Sequence, residues 1–115
     1  MPLVQFQTNK FLSNGGSEAA ALELSALVAE TLGKPEAYVQ VVVEGGKTMS
    51  FGGSLDPNAF IKLSSLGLDK TQAAAFSKRL CRFAEERFSV SAERVYIKMA
   101  DHPRAFWGWN GGTFE

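Results

Sequence analysis

One apolar pattern occurs twice in this chain at a constant offset of 56 residues, and that repeat limits the possible folds more than any other feature. Leu24 matches Leu80, Leu27 matches Phe83, Leu32 matches Phe88, Val39 matches Val95 and Val41 matches Ile97. Each copy reads as strand, helix, strand. Pro2 to Thr8 (PLVQFQT) is strand-like and ends at polar Thr8-Asn9. Ser13-Asn14-Gly15-Gly16 is turn-like, and Ser17 suits the cap of a helix over Glu18 to Leu32. Gly33 stops that helix and Pro35 prevents its resumption. Tyr38 to Val43 is rich in β-branched residues and reads as a strand. After a loop from Gly45 to Pro57 the pattern restarts. Ala59 to Leu66 reads as a strand, Lys70 to Phe88 as a helix and Arg94 to Met99 as a strand.

The predicted fold is therefore α/β, a single domain over residues 1–115 with pseudo-repeats at 2–44 and 58–100. A helical crossover makes the two strands of each unit parallel and right-handed. The result is one four-stranded mixed sheet with two helices on one face. The other face is uncovered, although Val41, Val42 and Val43 make consecutive positions apolar. A second copy of the chain is the simplest cover, so an oligomer is expected. The aromatic segment 106–115 reads as an edge strand that meets a neighbour.

Charge and composition remove several function classes. Twelve basic residues balance twelve acidic ones, so no strongly basic surface points to nucleic acid. No apolar run approaches the ~20 residues of a membrane span. The start lacks a basic segment followed by an apolar one, so a cytoplasmic protein is expected. The single Cys81 cannot form an internal disulfide, and it sits beside Leu80 and Phe83 as a packing thiol. One histidine, His102, leaves no His/Cys cluster for a metal, and it reads as a solvated loop residue. No cofactor is implied. Gly46-Lys47-Thr48 lacks the glycine that a phosphate-binding loop needs five residues earlier; Val41 stands there, and Lys47 reads as a solvated turn residue. Glu85 and Glu86 are neighbours on a helix, point apart and cannot act as a couple.

Met1-Pro2 carries more chemistry. A proline opening a strand loses nothing by lacking an N–H. Removal of Met1 would leave Pro2 with a secondary amine. Apolar walls and a nearby cation would disfavour its charged form, and an amine that is neutral at working pH is a general base.

The chain resembles the macrophage migration inhibitory factor and D-dopachrome tautomerase family of the tautomerase superfamily. The carriers are Met1-Pro2, Thr8-Asn9, Gly33-Lys34-Pro35 with Tyr38, Phe51-Gly52-Gly53-Ser54, Ser77-Lys78 with Leu80-Cys81, Arg94-Val95-Tyr96-Ile97, and Gly108-Trp109-Asn110 with Thr113-Phe114. They stand in order along the whole chain. The resemblance implies a homotrimer with sites between subunits and keto–enol tautomerisation of phenylpyruvate-like aromatic α-keto acids. It assigns Pro2 as the base and acid and Lys34 to the substrate carboxylate or carbonyl. Leu66, through its N–H, and the Ser65 region would donate hydrogen bonds. Tyr38, Tyr96, Trp109 and Phe114 would line an aromatic pocket, with Tyr96 from the neighbouring subunit. The family's animal members act as cytokines, so a signalling protein with a vestigial pocket is the alternative; no residue here names a receptor.

This chain departs from the family in three places. Asn58-Ala59-Phe60-Ile61 replaces a Cys-x-x-Cys, so no thiol redox activity is expected. Lys98 stands where the macrophage factor has asparagine, and it would add a cation if it faces the pocket. Trp107 replaces a small aliphatic residue at the rim and would narrow the site.

Overall fold

Alternating burial along the first strand fixes where the core lies. In the computed structural model, which describes residues 1–115, β1 spans Leu3–Thr8. Val4, Phe6 and Thr8 are buried, whereas Leu3, Gln5 and Gln7 face the other way. Helix α1 covers Asn14–Leu32, starting four residues before the Glu18 expected from sequence. Ser13 is its cap in place of Ser17, and the Ser13 hydroxyl oxygen accepts the Gly16 N–H at 3.0 Å. That bond brings the weak helix formers Gly15 and Gly16 into the first turn. Ala20, Leu24, Val28 and Leu32 recur every fourth residue and face the core.

Strand β2 spans Gln40–Glu44, later than the expected Tyr38, because Glu36–Tyr38 forms a 3-10 turn closed by the Tyr38 N–H on the Pro35 carbonyl at 3.1 Å. Strand β3 is Ala59–Ser65 and helix α2 is Lys70–Phe88, with Asp69 and Gln72 forming a reciprocal capping box. Phe76, Leu80, Phe83, Ala84 and Phe88 are its buried face. Strand β4 is Val95–Asp101; it runs two residues past Met99 because Ser64 pairs with Ala100 and Ser65 with Asp101.

The strand order is β2-β1-β3-β4, with β1–β2 and β3–β4 parallel and β1–β3 antiparallel. Both helices lie on one face, and the core sits between them and the sheet. Phe6 is its centre, with ring contacts to Phe83 at 6.0 Å and Phe88 at 5.4 Å. The open face presents Leu3, Val42, Phe60 and Tyr96 with Lys62 directly opposite Lys98. Tyr96 is 70% exposed there. No helix is long and apolar enough to cross a membrane.

The tail adds no strand to this chain's own four-stranded sheet. Instead β5 (Gly108–Trp109) and β6 (Gly112–Thr113) pair only with each other. Asn110 and Gly111 take φ of 51° and 80°, the left-handed conformations that a two-residue hairpin turn requires.

The two halves also diverge where their first strands begin. Pro2 is matched by Asn58, a buried polar hub. The Asn58 side-chain amide donates to the carbonyls of Met49 at 3.2 Å and Asp56 at 2.9 Å, and the Asn58 backbone carbonyl accepts the Thr8 hydroxyl at 2.8 Å. Arg94 ties the same loop, donating to the carbonyls of Pro57, Ser54 and Asp56 and lying over the Phe51 ring. Phe51 in turn packs on Tyr96 at 4.8 Å.

Since Phe6 joins both repeats through the rings of α2, Phe6→Ala should cost about 3–5 kcal/mol. Urea unfolding at fixed protein concentration should show a lower midpoint with an unchanged slope.

Candidate active site

Strand direction brings four chain segments to one end of the sheet. Parallel pairing sets Leu3 opposite Gln40, so β1 and β2 start side by side. Antiparallel pairing sets Leu3 opposite Ser64, so β3 ends where β1 begins. Parallel pairing of β3 and β4 then brings Asp101 and the turn after it to the same end. Met1 and Pro2 lie among these segments, and the Pro2 carbonyl accepts the Gln40 N–H at 3.0 Å.

Two cavities share Met1 and Tyr38. One, of about 320 Å³, is lined mostly by apolar and aromatic residues, among them Pro2, Val39, Trp107, Trp109 and Phe114. The tail hairpin builds its wall. Tyr38 meets Trp109 edge-on at 5.6 Å, and Trp109 stacks on Phe114 at 5.7 Å with an interplanar angle of 11°. The Phe114 N–H donates to the Trp107 carbonyl at 3.2 Å, which holds the tail closed. The second cavity, of about 470 Å³, carries the polar and charged side chains of Lys34, Asp101, His102 and Arg104 in its lining, with Leu66 beside them.

Local sequence explains how the cations arrive. Gly33 adopts φ 63° and closes α1, its N–H donating to the carbonyls of Ala29 and Glu30. Lys34 leaves the helix axis directly afterwards, while Pro35 opens the turn that presents Tyr38. Gly67, at φ 71°, follows β3, and the Lys34 Nζ would stand 3.8 Å from a Cβ at that position. Asp101 is the one acid in this lining, and its Oδ1 already accepts the N–H groups of Gly67 at 2.8 Å and Leu68 at 3.2 Å. The lobe is therefore net cationic.

Pro2 is fully buried, and because Met1 precedes it in this chain its nitrogen is an amide. The free amine at this end belongs to Met1. Desolvation first, then Lys34 and Arg104, holds that amine below its ordinary value of 8.0.

The expected site residues divide into three groups. Pro2, Lys34, Tyr38, Leu66, Trp107, Trp109 and Phe114 line the paired cavities. Ser65 lines neither; it is buried, its hydroxyl donates weakly to the Leu66 carbonyl at 3.5 Å, and its carbonyl accepts the His102 N–H at 2.8 Å. Tyr96 and Lys98 project from the open face of the sheet, away from this chain's own cavities. Nothing in the sequence singles out Arg104, and His102 reads there as solvated. In the fold His102 is half-buried, lines the polar lobe and meets Trp107 edge-on at 5.5 Å. Away from the site, burial and Glu85 push the Cys81 thiol up, as befits a packing side chain.

An amine held below 8.0 in the fold resists protonation there. Its penalty is complete below the folded value, shrinks as pH rises and is gone above 8.0, so this group makes stability increase with pH through that window. Titration of the Met1 amine by NMR should give a midpoint below 8.0, and Lys34→Ala should move the midpoint upward.

Comparison with known proteins identifies the family and the fold. The family profile described as macrophage migration inhibitory factor matches residues 1–115. The macrophage migration inhibitory factor of Meriones unguiculatus is 37% identical over 115 residues, covering 99% of each chain. That of Xenopus tropicalis is 40% identical over 93 residues, covering 80% of this chain and 81% of the relative. Among solved structures, the homologue from Prochlorococcus marinus superposes with a TM-score of 0.92 at 34% identity, over 98% of this chain and 99% of that one. With a profile match along its full length, the chain belongs to the macrophage migration inhibitory factor family.

Proposed function

We propose that this protein is a cofactor-independent keto–enol tautomerase of aromatic α-keto acids such as phenylpyruvate, with Pro2 as proton carrier once Met1 is removed. One observation carries the reading. The amine-bearing end of the chain lies between a cationic lobe and an aromatic lobe, where its charged form is disfavoured.

Removing Met1 turns the buried Pro2 amide into a secondary amine. In the keto-to-enol direction that amine takes a proton from C3 of the substrate. The C–H electron pair becomes the C2–C3 double bond, and the carbonyl pair moves to oxygen. The cations of the polar lobe stabilise the enolate as its charge develops. A proton from water completes the enol, and the proton held on Pro2 returns to solvent. In the reverse direction Pro2 delivers the proton to C3. The aryl ring occupies the lobe of Tyr38, Trp109 and Phe114, with Trp107 at its edge.

The reading includes a homotrimer. Leu3, Val42, Phe60 and Tyr96 leave apolar surface on the open face of the sheet, which a neighbouring subunit would bury. In such an assembly Tyr96 and Lys98 belong to a neighbour's site.

Purified protein without Met1 should accelerate phenylpyruvate ketonisation and should have the mass of three chains by light scattering. Pro2→Gly should lower kcat/KM by about 100-fold or more while keeping that mass. A trimer without turnover would remove the enzymatic reading and favour a binding role for the same fold.

A further inference from the structure

The polar lobe contains a cation whose charge no acid of the chain pairs. Arg104 follows β4 in the turn Pro103-Arg104-Ala105-Phe106. It has no acidic partner: the chain's ion pairs are Lys47–Glu44, Arg79–Glu30 and Arg87–Glu23. Asp101, the acid in the same lining, spends one oxygen on two backbone N–H groups. One edge of the Arg104 guanidinium is anchored, its Nε donating to the Phe114 carbonyl at 2.9 Å. Its terminal nitrogens make no hydrogen bond within the chain. A planar fork held at one corner, with its remaining donors free beside a cavity, matches a carboxylate in two-point geometry.

An α-keto acid presents two oxygen functions to the lobe, a carboxylate and a ketone. Lys34 is a compact point charge, well suited to a single oxygen where charge develops. The same fork is bonded to the residue that stacks on Trp109, so the anion anchor and the aromatic wall are mechanically joined.

We infer that Arg104 is the carboxylate anchor of the site, which leaves Lys34 to polarise the ketone and stabilise the enolate oxygen. This division of labour rests on the tautomerase reading, and it makes Arg104 a specificity residue that separates α-keto acids from uncharged aryl ketones. The ketone and the carboxylate then engage different cations, and the substrate has one orientation relative to Pro2.

The test compares phenylpyruvate with its methyl ester in wild type, Arg104→Gln and Arg104→Lys. Arg104→Gln should raise KM for the acid by about 10- to 100-fold, with a much smaller change in kcat. The acid-over-ester preference should collapse by the same factor, and Arg104→Lys should restore part of it. An equal loss for acid and ester would mean that Arg104 only holds the tail, and no change for either would leave it without a role; both results overturn the inference. A second measurement does not depend on turnover. Calorimetry with the unreactive 3-phenylpropanoate and its uncharged amide should show that Arg104→Gln weakens the acid and spares the amide. If wild type turns over neither keto substrate, the tautomerase reading falls, and this binding comparison alone decides the anchor: equal acid affinity in wild type and Arg104→Gln overturns it.

Discussion

The register of β1 governs the site. Its parallel pairing with β2 and antiparallel pairing with β3 leave only one end of the sheet where the chain start, the end of α1, the end of β3 and the end of β4 can meet. A slip of one residue would turn Val4 and Phe6 out of the core and would separate Pro2 from Lys34 and Tyr38. The same rings that bury Phe6 therefore hold the candidate site in place.

The two halves show how a repeated unit acquires a single site. Position 2 and position 58 are equivalent in the repeat, yet they lie at opposite ends of the antiparallel pair. At one end Asn58 satisfies the carbonyls of its own loop and locks it. At the other, proline offers no such bonds, and the space beside it is left to cations and aromatic rings. Only that end is finished by the C-terminal hairpin, whose Trp109 and Phe114 close over the apolar lobe.

Much of this was legible in the sequence, for identifiable physical reasons. Helix α2 matches its expected limits because Asp69, Gln72 and the run to Phe88 carry their signals locally. Helix α1 starts earlier than expected because a serine cap outweighed two glycines that read as a turn. The Asn110-Gly111 turn is present in the sequence, but the aromatic segment from Phe106 onward reads as one edge strand. Lys34 and Tyr38 were found through a glycine stop and a family resemblance. Arg104 was not found, since its meaning comes only from the register that places the end of β4 beside the chain start. The bond from the His102 N–H to the Ser65 carbonyl likewise joins segments far apart in the chain.

The proposed chemistry requires that the nitrogen of Pro2 be the group that moves the proton. The most direct measurement is the rate of phenylpyruvate ketonisation by two preparations whose intact masses differ only by Met1. Turnover should belong to the Met1-free form, with the Met1-bearing form slower by about 100-fold or more, as expected when a general base is lost. Equal rates from the two forms would contradict it, because the Pro2 nitrogen is then an amide in one of them and cannot be the base.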